Sequence, residues 1–145
     1  MVGNDSSGRV LIFDRRVVRH HRDRAAAHLS DHDFLFREVA DRLADRLTDM
    51  NRTFGRAVEL GARAGILRDA VSTGGKITTL IESGLSAIHG LDNRMDVVAD
   101  EEFQPFADNS VDLVLSNLSL HWTNDLPGAL IQIRRALKPD GLFLA

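Results

Sequence analysis

From Gly55 to the end of this 145-residue chain, short apolar runs alternate with helical stretches, and no other feature constrains the fold as much. Residues 56–60 predict a short strand that runs into a glycine turn at 61–65. A helix over 65–73 closes at Gly74-Gly75, where glycine takes the left-handed conformation that ends helices. The β-branched run 76–81 is strand-like, as are 96–99 and 111–116. A helix follows over 125–137, with Asn124 or Asp125 as its cap and Pro127 tolerable in its first turn. Its Leu126, Leu130, Ile133 and Leu137 fit a 3.6-residue period. Residues 138–141 predict a turn, and 142–145 begin a fifth strand. Strands alternating with helices predict an α/β fold, a mostly parallel sheet with helices on both faces.

The part before Gly55 follows other rules. Residues 1–9 predict a disordered leader and 10–50 a helical extension, leaving 51–145 as the ligand-binding domain. Six arginines stand between Arg9 and Arg24 against two aspartates, among apolar Leu11, Ile12, Phe13, Val17 and Val18. That segment predicts a partner-facing or substrate-covering helix. Ser30 and Asp33 offer cap chemistry to an amphipathic helix over 32–49, whose Leu35, Val39, Leu43 and Leu47 recur every four residues. Farther on, 92–112 holds seven acids and one arginine. A basic arm therefore precedes an acidic body, and the net charge of −3 argues against general nucleic-acid binding.

Composition removes several chemistries. With no cysteine, disulfides, thiolate metal sites and thiol nucleophiles are excluded. His28 and His32 sit four apart, but no third ligand accompanies them, and no metal is expected. No stretch approaches the ~18 apolar residues of a membrane span. No apolar run follows the polar first seven residues, so no secretory signal is expected either.

The informative motif is A-V-E-L-G-A-R-A-G at 57–65, a strand with an acid near its end and a glycine loop opening a helix. Glycine lets the backbone approach a ligand, and the helix start presents free N–H groups to it. The G-x-G-x-x-G of a dinucleotide site is not met. Gly75-Lys76 enters a strand rather than a helix, so a phosphate-binding P-loop fails too.

The loop resembles the first motif of the class I, Rossmann-like S-adenosylmethionine-dependent methyltransferases, an acid and an apolar residue before G-x-G-x-G. Glu59, Leu60, Gly61 and Gly65 match it, while Arg63 stands at the middle glycine. There its long cation either blocks the methionine moiety or pairs with its carboxylate. A-D-E-E-F-Q-P-F at 99–106 is similar to the family's third-strand motif. V-D-L-V-L-S-N-L-S-L-H-W at 111–122 is similar to the fourth strand, and L-K-P-D-G-L-F-L at 137–144 to the turn into the fifth. With I-F-D-R at 12–15, the wording resembles most the complex I assembly factors that act as protein-arginine hydroxylases, and their bacterial relatives. The malonyl-carrier-protein methyltransferases of biotin synthesis are similar cousins. Residues 116–122 contain no proline, which departs from the amino-methylating signature and disfavours DNA as a substrate.

The resemblance implies a Rossmann-like sandwich with S-adenosyl-L-methionine as cofactor, held by Glu59, Gly61, Ala62, Arg63, Gly65, Asp100, Glu101 and Asn117. Asp100 would lie near the adenine, and a side chain at Gly61 would obstruct the ligand without unfolding the domain. The acid that should hold the ribose falls near Ile81. If the second strand ends there, Glu82 lies in the next loop and takes that role. His121 is the catalytic candidate, as a base or substrate contact, against packing under its loop with Trp122 as cover. The implied reaction is methyl transfer to an unidentified small molecule or protein. The alternatives are arginine hydroxylation of a complex I subunit and non-catalytic binding. The family's sheet has seven strands and this chain stops in the fifth, so missing C-terminal strands are expected. An exposed fifth-strand edge then predicts a homodimer. The expected compartment is the cytoplasm, or the mitochondrial matrix in a eukaryote.

Overall fold

The computed structural model describes residues 3–4, 10–88 and 95–145. Of the expected leader, only Gly3–Asn4 (β1) falls among them, and it pairs antiparallel with Val10–Leu11 (β2). Two helices follow, Arg15–Ala25 (α1) and Phe34–Thr48 (α2), joined by a 3-10 turn at Ala26–Asp31. The rest alternates as the sequence predicts: Phe54–Leu60 (β3), Ile66–Ser72 (α3), Ile77–Gly84 (β4), Val97–Val98 (β5), Val111–Leu115 (β6), Leu126–Ala136 (α4) and Leu137–Leu144 (β7).

The five later strands form one parallel sheet in the order β5-β4-β3-β6-β7. The order reverses at β3, so β3 and β6, neighbours in space, are fed from opposite directions. A crevice opens at such a switch point, outside the carboxyl ends of the strands.

Successive side chains of a strand point to opposite faces, which divides the core in two. Ala57, Leu113 and Leu115 pack against Ala40, Leu43 and Leu47 of α2 and Ile66, Leu67 and Val71 of α3. Val58, Leu60 and Val114 pack against Ile133 and Ala136 of α4. Leu43 and Leu47 are the buried half of the expected stripe on α2. Leu35, just over two turns before Leu43, is 49% exposed.

Three local expectations change. Asp33 precedes α2 without bonding its free N–H groups; its carboxylate accepts from Arg37 Nε at 2.8 Å instead. The 138–141 turn lies within β7 as an irregularity, because Val111 pairs with Leu137 while Leu113 pairs with Leu142. Pro139 bars the helical conformation at Lys138, so the chain turns extended as soon as α4 ends. β4 continues to Gly84, placing Glu82 inside the strand rather than in a loop, opposite Glu59 in register. Of the two expected caps for α4, Asp125 accepts from Gly128 N at 2.9 Å, which leaves Asn124 for another task.

Candidate functional site

The loop after β3 turns on left-handed residues. Gly61 has φ 73°, Ala64 49° and Gly65 69°, and α3 starts directly beyond. The backbone N–H groups of Gly61 and Ala62 both donate to Ser83 O, at 2.7 and 3.0 Å, fixing the loop to the end of β4. A side chain at Gly61 would overlap Ser119, whose hydroxyl donates to Leu60 O at 2.8 Å, and would lie 2.8 Å from Glu101 Oε1. Gly61 is thus a packing requirement, which corrects the expectation that a larger residue there is tolerated by the fold. Gly65 has open space where a Cβ would be. Ala62, Arg63, Ala64, Leu85, Ser86 and Met95 line a cleft at this edge.

Two carboxylates lie under the loop. Glu59 is almost fully buried, and its Oε2 has no hydrogen-bond partner among the described residues. Burial, with Glu82 nearby, pushes its carboxyl up to about 8, so it is largely protonated at neutral pH. The Glu82 carboxylate pairs with Arg68 of α3 at 2.6 Å, and Arg68 reaches Asp96 at 2.9 Å. A ribose would therefore meet Glu82 already engaged by a cation from within the fold.

Asp100 and Glu101 are also engaged, by α1. Arg15 aims its Nε and Nη2 at Asp100, at 3.0 and 2.7 Å, and also pairs with Glu101. Arg22 gives Nη1 to Glu101 Oε1 at 2.9 Å. Asp14 caps α1 by accepting from the N–H groups of Arg16 and Val17, at 2.9 and 3.2 Å. Asn124 Oδ1 accepts from the N–H groups of both Ile12 and Phe13 at 2.8 Å. The I-F-D-R stretch is thus the docking element of the basic arm, and the arm lies on its own acidic body. The charge asymmetry pointed to a partner-facing or substrate-covering helix; that the arm docks on the chain's own acids, and the roles of Arg15, Arg22, Asn124 and Ser119, went unread.

Arg63 stacks its guanidinium over Phe36, 4.7 Å from the ring centre. Burial, then the charge of Arg22, lowers it to about 10. Asn117 donates Nδ2 to Phe36 O at 2.9 Å, tying α2 to the end of β6, and its buried Oδ1 lacks a partner among the described residues. His121 is exposed in a 3-10 turn at Leu120–Trp122, with its ring 5.3 Å from that of Trp122. Packing under the loop is therefore not its arrangement. Partial desolvation, then Arg63 and Arg22, holds its imidazole below the ordinary value. No helix among the described residues is long and apolar enough to cross a membrane.

The profile of the family described as "Methyltransferase domain" matches residues 58–145. The zebrafish (Danio rerio) "Arginine-hydroxylase NDUFAF5, mitochondrial" is 43% identical over 92% of this chain and 44% of its own length. A "Malonyl-[acyl-carrier protein] O-methyltransferase" of Methylovorus is 32% identical over 92% of this chain and 50% of its own. The chain thus spans about half the length of the curated relatives it matches. A methyltransferase of Haloferax volcanii, solved in complex with the Trm112 methyltransferase activator, superposes with a TM-score of 0.67 at 26% identity. That match covers 87% of this chain and 58% of the other.

Proposed function

We infer the function from the family this chain belongs to, the methyltransferase-domain family, whose cofactor is S-adenosylmethionine. The chain is the cofactor-binding core of a methyltransferase-like enzyme. The observation that carries the reading is the left-handed loop 61–65 at the switch point, with open space at Gly65 and a cleft beside it. These residues fit the cofactor: Ala62 to Gly65 and the end of β4 would hold it, with Glu59 and Asn117 offering free buried acceptor atoms nearby. When bound, S-adenosylmethionine supplies an activated methyl group. The chain's residues bind and orient; Arg15 and Arg22 keep α1 over the acids at the adenine end and shield that end from water.

Calorimetric titration with S-adenosylmethionine and S-adenosylhomocysteine tests this. Micromolar binding of both is expected, and absence of binding overturns the reading in favour of a non-catalytic assembly protein.

The higher identity to the arginine hydroxylases favours a second reading, modification of an arginine in a complex I subunit. Mass spectrometry separates the two on an arginine-containing peptide, as a gain of one oxygen or of one methylene. On either reading the protein works in the cytoplasm, or in the mitochondrial matrix of a eukaryote. Two copies would pair along the outer edge of β7, and a monomer in light scattering overturns that pairing.

A further inference from the structure

Beside the loop, two half-buried arginines carry guanidinium nitrogens that are shut off from solvent and have no acceptor among the described residues. Val18, His21, Arg22, Ala25, Arg63 and Trp122 line a cavity of about 200 Å³ that opens to solvent. Arg22 donates Nη1 to Glu101, but its Nε and Nη2 are shut off from solvent and have no hydrogen-bond partner among the described residues. Those two atoms form one edge of the guanidinium, the parallel pair of donors that matches the two oxygens of a carboxylate. Arg63 also has a buried Nε with no partner among the described residues, and its stacking over Phe36 satisfies no donor.

Charged donors left buried and unpaired cost more than the same groups paired. The nearby acids do not relieve them. Asp100 is taken by Arg15, and Glu101 is shared between Arg15 and Arg22. Arg22 and Arg63 also repel each other. An anion supplies what this arrangement lacks. The planar edge of Arg22, next to the apolar walls of Val18, Ala25 and Trp122, favours a carboxylate on an organic molecule over a fully hydrated ion.

We propose that Arg22 and Arg63 form a carboxylate-binding subsite between α1 and the 61–65 loop. The carboxylate has two possible sources, the methionine end of the cofactor or a separate acidic ligand held next to it. The first source rests on the cofactor reading above; the second does not.

Calorimetry on the 145-residue chain tests the subsite with three probes: malonate, S-adenosylmethionine and decarboxylated S-adenosylmethionine. The variants are Arg63→Gln and Arg22→Lys, the latter keeping a charge toward Glu101 while losing the forked edge. If the cofactor tail fills the subsite, S-adenosylmethionine binds about tenfold or more tightly than its decarboxylated form, and the variants abolish the difference. If a separate acidic ligand fills it, the two adenosyl compounds bind alike, and malonate binds protein saturated with S-adenosylhomocysteine. Malonate affinity then drops about tenfold or more in each variant.

Equal binding of the adenosyl compounds with no malonate binding overturns the subsite and leaves the cofactor reading intact. Malonate binding that both variants retain overturns it as well. Malonate binding lost in the variants, with no adenosyl compound bound, keeps the subsite and overturns the cofactor reading. If no probe binds, both fall. The comparison of adenosyl compounds needs only the parent protein, so a variant that fails to fold does not remove the test.

Discussion

Arg15 of α1 and Asp100 beyond β5 meet as a forked pair, with the arginine Nε and Nη2 3.0 and 2.7 Å from the carboxylate oxygens. Their side chains are only 15% and 17% exposed, and the same guanidinium also reaches Glu101. One residue of the basic arm thus holds together two acids that would otherwise repel.

Replacing Arg15 with methionine keeps its apolar stem and leaves those acids without their shared partner. The variant should lose on the order of 3 kcal/mol, the lower end of the cost of breaking a buried pair. Urea denaturation followed by circular dichroism checks this. A midpoint equal to the parent's would mean that the Arg15 pair contributes nothing to the fold.

The two loop glycines should respond differently to alanine. At Gly61 the new Cβ would overlap Ser119 at φ 73°, combining a clash with backbone strain. At Gly65 it meets nothing within 4 Å, and only the strain at φ 69° remains. Gly65→Ala should cost about 1 kcal/mol, and Gly61→Ala several times that. Thermal melting of the two variants side by side checks the order. Equal melting points would show that Ser119 gives way at no cost.

The sheet was legible because 57–60 and 76–81 are β-branched or apolar runs set between glycines, and 111–115 is one set between Asn109-Ser110 and Ser116-Asn117; such runs fold as strands in most contexts. The loop was legible from Glu59, Gly61 and Gly65. Contacts between residues far apart in the chain were not. Asn124 looked like a cap because caps are local, yet its carbonyl oxygen serves Ile12 and Phe13, more than a hundred residues away. Whether Glu82 falls in the strand or the loop is not legible, because nothing in 76–83 marks where the strand ends. Pairing with β3 carries β4 on to Gly84. Ser119 gave no signal, since its role depends on a glycine brought beside it by the parallel pairing of β3 and β6.

Glu59 gives the fold a pH dependence of known sign. Its folded value is raised to about 8 from 4.5, mainly by burial. As pH rises from about 4.5 to about 8, the unfolded chain releases this proton while the folded one keeps it. Stability is therefore greatest at the acid end of that window and falls through it, by up to about 1.4 kcal/mol per unit. Other carboxylates add their own slopes, so the measurement is the difference between the parent and Glu59→Gln. Denaturation midpoints should be close at pH 5 and separate toward pH 8, with the glutamine variant more stable. Parallel curves would show that Glu59 is ionised in the folded protein.

Asn124 carries the other end of the arm. Its side chain accepts from the N–H groups of Ile12 and Phe13 at 2.8 Å and donates to Phe13 O at 3.0 Å, while its own N–H reaches Glu102. Alanine at this position leaves two backbone donors and one acceptor without partners, next to the Phe13 ring that packs edge-on against Trp122 at 5.3 Å. At about 1 kcal/mol for each lost bond, the arm should loosen by about 2–3 kcal/mol. Asp125 still caps α4, and both core clusters are untouched, so the sheet should keep its stability. Hydrogen exchange separates local from global effects: amides of α1 in Asn124→Ala should exchange about a hundredfold faster at 2.7 kcal/mol, while those of β3 and β6 keep the parent's rates. Uniform acceleration across the chain would instead make the 12–15 stretch part of the cooperative core, and unchanged α1 rates would assign its docking to Arg15 and Arg22 alone.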